Sequence, residues 1–259
     1  MSVRTYNPSV RVGNWNEDLC LEEDLLKDFL QKKEKGELLI DHTHNLVSKI
    51  LQPVELSTCK DSSLHFGDLV CIYNPNEEVT LSINLSESKL HEAEQIEGPC
   101  GVSGSKILTP CIRNTFVITS VDGSQKVGES LGYAQHFLLC SLSGLGGDLK
   151  LQSDRATFMK NAKKSRKQEV LLSGDVSYQS HWQILHFDPQ QRLETEGMPV
   201  KTNQRIMFNH CKTNQRLCVL SDFSFRTPFG REFEVVADTV LDSHKAEKPE
   251  NHWVLIANV

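Results

Sequence analysis

The chain has 259 residues, 38% of them apolar and 24% charged, and a formal net charge of −6. That length builds a core without disulfide or metal staples, and a mildly acidic chain is a poor partner for nucleic acid or an anionic membrane surface. The opening MSVRTYNPSV has no apolar leader core and no window approaches about 18 uninterrupted apolar residues, so neither secretion nor a membrane-spanning helix is expected.

The first clear element is a helix in RVGNWNEDLCLEEDLLKDFLQKKEKGELL. Leu21, Leu25, Leu26, Phe29 and Leu30 recur at i, i+4, i+5, i+8 and i+9, which sets them on one stripe of a 3.6-residue helix. Asn16 or Asp18 can cap its start, acids crowd its first turns, and Lys32, Lys33 and Lys35 crowd its end before Gly36. Trp15 is expected in a loop ahead of that helix, either stapling it to the rest of the chain or anchoring a partner. NLVSKIL (45–51) adds a helical turn or two before Pro53 stops it.

From Pro53 onward short strand-like runs alternate with Gly, Pro, Asn and Asp. Eleven candidates follow in order: LHFGDLVCIYN, LSINL, NTFVITSV, HFLLCSL, LKLQS, QEVLLS, HWQIL, QRIMFNH, RLCVLS, FEVVAD and HWVLI. They repeat. HFLLCSLSGLGGDLKLQSD (136–154) aligns with RIMFNHCKTNQRLCVLSD (205–222), QEVLL with FEVVA, and HWQIL with HWVLI, at offsets of 69, 68, 65 and 71 residues. A weaker third copy lies upstream in GDLVCIYN, LSINLSES and NTFVI. Three copies of a four-strand unit that cannot bury its apolar face alone predict a mainly β fold, a β-trefoil. The chain therefore divides into an N-terminal arm and helix (1–53) and a β-trefoil domain (54–259).

The repeat decides how the candidate chemical sites are read. NHCKTNQRLCVLSD holds His210, Cys211 and Cys218 close in sequence. His210 and Cys211 are neighbours on a strand, so their side chains point to opposite faces and cannot grip one ion; no metal or cofactor is expected there. Trp182 and Trp253 occupy equivalent repeat positions and read as core, with a sugar-stacking platform as the alternative. SGLGGD (143–148) reads as a hairpin turn. DSH (242–244) reads as a loop, with no nucleophile elbow anywhere in the chain, so no catalytic residues are assigned. The eight cysteines are scattered without a C-x-x-C pair and read as free, mostly buried thiols. KNAKKSRK (160–167) is either a solvated loop or a contact for an acidic surface.

The template R-I-x-F-x-H-x-x-T at 205–213, with E-V and a late Trp downstream, resembles the MIR repeat, which forms β-trefoils in mannosyltransferases and calcium-release channels. Over residues 6 to 256, the blocks GNWNED, HFGDLV, PCGVS, RNTFVI, FNHCKTNQRL and FGREFEVVADTVLDSHKAEKPENHW together resemble the cilia- and flagella-associated protein 161 family. That resemblance implies a non-enzymatic microtubule inner protein on the luminal wall of axonemal doublets in motile cilia. Its partners would be tubulin and other inner proteins, with no nucleic acid, membrane or small-molecule substrate. The partner-binding candidates are Arg11, Asn14, Trp15, Leu21, Leu25 and Phe29 in the arm and helix, and Lys163, Lys164, Arg166 and Lys167 in the basic run. The competing reading is a cytosolic module whose trefoil holds a glycan or an inositol phosphate.

Overall fold

In a computed structural model, which describes residues 14–36, 38–85, 96, 98–123, 126–142 and 148–258 (the backbone alone at 14–18, 39 and 42), each repeat folds as four strands. The first unit holds β1 (Leu69–Asn74), β2 (Val79–Asn84), β3 (Cys100–Ser105) and β4 (Thr115–Thr119). The second holds β5 (His136–Ser141), β6 (Lys150–Ser153), β7 (Gln168–Ser173) and β8 (Trp182–His186). The third holds β9 (Arg205–His210), β10 (Leu217–Thr227), β11 (Gly230–Ala237) and β12 (Trp253–Ile256).

The first and last strands of the units pair in a closed ring, β1–β4–β5–β8–β9–β12 and back to β1. The middle strands make the hairpins β2–β3, β6–β7 and β10–β11, whose second strands pair with one another in a triangle. Ahead of β1, β5 and β9 a second triangle closes the barrel: Leu64 N–H donates to Val200 O at 2.9 Å, Leu131 to Leu64 at 2.8 Å and Val200 to Leu131 at 2.8 Å. This is the predicted β-trefoil.

The register explains the tryptophans. Cross-strand pairs Val70↔Phe116, Phe137↔Trp182 and Ile206↔Trp253 set Phe116, Trp182 and Trp253 at one position of the three units. All three side chains are fully buried, which removes them as a sugar platform. Both indole N–H groups donate to a main-chain carbonyl, Trp182 to Leu151 at 2.8 Å and Trp253 to Leu217 at 3.0 Å.

Four sequence expectations change. β3 was not foreseen, because CGVSGS has neither apolar alternation nor β-branched density. It forms because it is paired on both sides, and a Cβ at Gly104 would lie 3.1 Å from methyls of both Val79 and Val219. The repeat alignment also shifts. The sequence alignment matches Cys218 with Lys150 and Cys211 with Ser141, but the pairs Cys140↔Lys150 and Asn209↔Arg216 make Arg216 the counterpart of Lys150 and His210 that of Ser141. The connection between paired residues is three residues shorter in the third unit (209 to 216, against 140 to 150), so the Ser-Asp pairs at 153–154 and 221–222 are not equivalent. The helical turns before Pro53 extend into a 12-residue helix, α2 (Leu39–Ile50), whose Leu46 and Ile50 join the same apolar cluster as the barrel. Lastly, the first helix, α1 (Asn14–Lys35), begins early enough to include Trp15, which is therefore helical and not in a preceding loop. Nothing in Asn14–Asp18 breaks a helix, and Glu17 and Asp18 suit its positive end.

Six of the eight cysteines are buried, with Cys20 exposed and Cys211 half-buried. His210 has both ring nitrogens engaged: Nε2 lies 2.7 Å from Gln179 O and Nδ1 2.8 Å from Thr213 Oγ1. It is a core hydrogen-bonding residue. The 143–147 turn lies outside the described residues.

Candidate partner-binding surfaces

α1 carries the signs expected of a stable surface helix. Lys27 lies 3.8 Å from Glu23 and Lys32 lies 2.8 Å from Asp28, pairs that contribute about 0.2–0.5 kcal/mol each. Gly36 ends it with φ +69°, where a side chain would be strained. What it lacks is a floor. Every described side chain from Leu19 to Lys35 is exposed, and the stripe of Leu21, Leu25, Leu26, Phe29 and Leu30 stands 47–58% open. α1 is thus no lid folded back on the trefoil. A helix of this length does not hide its apolar stripe by itself, and a contiguous exposed stripe marks an interaction surface. Arg11 and the side chains of Asn14 and Trp15 lie outside the described residues.

The basic run sits in the β6–β7 hairpin loop and is built as a fixed platform. The Glu234 carboxylate of β11 accepts the N–H groups of Lys164 and Ser165 at 2.9 and 2.8 Å. Lys164 Nζ donates to Ser224 O, and Lys167 pairs with Asp238. Arg166, held at φ +60°, donates to Asn161 Oδ1 at 3.2 Å. So Lys164 and Lys167 are tied to neighbouring backbone and carboxylate groups, and Lys163, Lys164 and Arg166 are all exposed. One feature of this loop escaped the sequence reading. Phe158 and Met159 are 95% and 87% exposed at its tip. Their turn is held by Thr157 N–H donating to Lys160 O at 2.8 Å and by Asn161 Nδ2 donating to the carbonyls of Thr157 and Phe158. The signal was present as an apolar pair beside a basic run, in a repeat position that required no core residue.

The sequence profile of the cilia- and flagella-associated protein 161-like domain matches residues 42–258. The curated protein of that name from Danio rerio is 46% identical over 265 residues, covering 97% of this chain and 88% of its own length; the Mus musculus protein is 43% identical over 271 residues, covering 99% and 89%. The chain belongs to this family. Its relatives' names tie the cilia- and flagella-associated protein 161 family to cilia and flagella. Among solved structures, the SDF2-like protein from Arabidopsis thaliana is similar with a TM-score of 0.54, 17% identity, and coverage of 74% of this chain and 94% of that one. A Caenorhabditis elegans protein of unknown function is similar with a TM-score of 0.56, 16% identity, and coverage of 77% and 99%. These two share the fold.

The blocks that mark the cilia- and flagella-associated protein 161 family are mostly architectural in this chain. Arg113 of RNTFVI and Glu232 of FGREFEVV meet as a buried ion pair, each 1% exposed, with Nη2 at 2.6 and 2.8 Å from the two carboxylate oxygens. Asn251 of the last block is fully buried: it accepts from Val240 N–H at 3.0 Å and donates to Leu217 O and Asp238 O. Asp242 accepts the N–H groups of His244 and Ala246, which makes DSH a turn.

Burial pushes the pKa of His210, His181 and His252 below the ordinary histidine value. A histidine held below its unfolded value of about 6.5 adds nothing above that pH, and protonation then favours the unfolded chain as pH falls toward the folded value. The melting temperature is therefore expected to be flat between about pH 7 and 8 and to fall from about pH 6.5 to 5. His210→Gln should show a shallower fall across that window, read by thermal melts at fixed ionic strength; an unchanged slope would remove His210 from the account.

Proposed function

We propose that this chain is a structural, non-catalytic microtubule inner protein that binds the luminal face of axonemal doublet microtubules, with tubulin and neighbouring inner proteins as its partners. The observation that carries the reading is α1, a charged-ended helix whose whole apolar stripe lies open beside a finished barrel. A helix of that design seats its stripe in an apolar groove of a partner. Membership of a cilia and flagella family directs the reading to the axoneme. A protein that binds only the assembled lattice stabilises it by linkage. The basic platform, with Lys163, Lys164 and Arg166 exposed, suits an acidic partner wall and gives salt-sensitive contact.

Two variants test the helix. Removing residues 1–36 should leave the trefoil's melting temperature nearly unchanged while abolishing co-sedimentation with doublets. Leu25→Asp with Phe29→Asp should shift stability by less than about 0.5 kcal/mol. The same pair should weaken binding by roughly tenfold or more, the scale of interface anchor residues. Undiminished binding by either variant would overturn the helix's role. Stepwise extraction of axonemes tests the location: release only with doublet disassembly is expected, and release at the detergent step would end the luminal reading.

A further inference from the structure

The segment ahead of β1 gathers three metal-ligating side chains on a backbone that is fixed from several sides. Cys59 N–H donates to Asn258 O at 2.8 Å, Phe66 N–H to Glu129 O at 2.9 Å, and Gly67 N–H to Ile118 O at 2.7 Å. Leu64, between them, belongs to the triangle that closes the barrel. On this frame Cys59 Sγ lies 3.3 Å from Asp68 Oδ2, His65 Nδ1 lies 3.5 Å from the same oxygen, and one donor atom from each of Cys59, His65 and Asp68 falls within 4.8 Å of the others. Around a tetrahedral zinc ion, with bonds of about 2.3 Å to sulfur and 2.0–2.1 Å to nitrogen or oxygen, ligand atoms sit roughly 3.3–3.5 Å apart. Two edges of that figure already exist.

A second carboxylate orients the ring. His65 Nε2 is 3.2 Å from Asp61 Oδ2, the arrangement in which a carboxylate takes the outer ring N–H and turns the other nitrogen's lone pair inward. Nδ1 then confronts a carboxylate oxygen, which calls for a cation or a proton between them.

The repeat separates this cluster from what the fold alone requires. By register, His65 and Asp68 correspond to Gly132 and Gln135 in the second unit. Asp68 accepts the His65 N–H at 2.8 Å, and Gln135 accepts the Gly132 N–H at the same distance. The turn therefore needs only an acceptor at its end; the imidazole, the thiol and the carboxyl group are additions of the first unit. The cluster lies at a surface cleft of about 420 Å³ bordered by Thr58, Lys60, Phe66 and Val127.

We propose that Cys59, His65 and Asp68 form a zinc-binding site, oriented by Asp61, with a fourth position open to water or an external ligand. The mixed sulfur, nitrogen and oxygen donors suit zinc or cobalt over magnesium or calcium. On binding, the Cys59 thiol proton leaves to solvent, the thiolate sulfur forms the metal bond, and no oxidation state changes.

The test uses the reduced, chelator-treated full chain with Cys20→Ser and Cys211→Ser, which removes the exposed and half-buried thiols. Cobalt(II) titration should give a thiolate-to-cobalt charge-transfer band with one ion per chain, abolished by competing zinc. Cys59→Ser should lose the band while its circular dichroism shows the fold intact. Asp61→Asn, an exposed position, should keep the band and lower affinity about 10–100-fold. Zinc should raise the melting temperature of the parent chain and not of Cys59→Ser. No charge-transfer band at saturating cobalt, or a band unchanged in Cys59→Ser, would overturn the proposal. If Cys59→Ser does not fold, an Asp61→Asn affinity equal to the parent's overturns it as well.

Discussion

Glu232→Ala is expected to destabilise the trefoil by about 3–5 kcal/mol, a fall in melting temperature of about 6–20 °C for a chain of this size. Arg113 explains the size of the effect. Its guanidinium is 1% exposed, its Nε–H donates to Ile83 O at 2.6 Å, and the ring of Phe229 covers it 3.8 Å from the centroid. Glu232 is its only carboxylate partner among the described residues, and Ser103 Oγ donates to the same carboxylate at 2.7 Å. Removing the acid leaves a cation in an apolar site with a hydroxyl stripped of its acceptor. Replacing both members, as Arg113→Met with Glu232→Met, should recover most of the loss, because a buried pair contributes little net stability relative to apolar groups of similar volume. Chemical denaturation of the two single variants and the double measures the coupling. A double variant as unstable as the sum of the singles would show that the pair is no isolated unit.

Trp253→Ala should cost a comparable amount, about 3–5 kcal/mol. The indole is fully buried where β12 meets β9, and no neighbour can fill the hole without moving the ring of six strands. Trp253→Phe should cost far less, about 1 kcal/mol for the lost hydrogen bond. The first unit already places Phe116 at this position, and Leu217 O keeps the amide of Asn251 at 3.3 Å as a donor. Equal losses for the two variants would mean that the hydrogen bond, and not the packed volume, holds β12.

The repeat made the trefoil readable from sequence, since a period near 70 residues with Trp182 and Trp253 in phase admits few folds. β3 was unreadable because its reason for being a strand lies in its neighbours, not in Cys100–Ser105. The stripe of α1 was readable as a stripe, but its exposure was not: periodicity says which residues share a face, and says nothing of what covers it. Arg113 and Glu232 are 119 positions apart, and one sequence holds no trace of their meeting. The metal question went to 209–222 for the same reason in reverse. His210 and Cys211 are adjacent in sequence but do not share the strand as expected: β9 ends at His210, whose ring is engaged by Gln179 O and Thr213 Oγ1, and Cys211 opens the turn after it. Cys59, His65 and Asp68, by contrast, have no familiar spacing and are brought together by a turn.

The seam of the barrel also makes closure wait on synthesis. β1 completes its pairing with β12, through Cys71↔Ile256, Ile72↔Leu255 and Tyr73↔Val254. A ribosome delivers β1 with the first repeat and β12 as the last strand of the third, so the nascent chain carries an unpaired β1 edge through the making of both later repeats. Closure is a single late event after β12 emerges, and the exposed edge in the meantime is the form that holding chaperones recognise. A chain interrupted just before Trp253 would lack only β12 and still leave β1 and β9 without their shared neighbour, an open sheet and not a slightly shortened barrel.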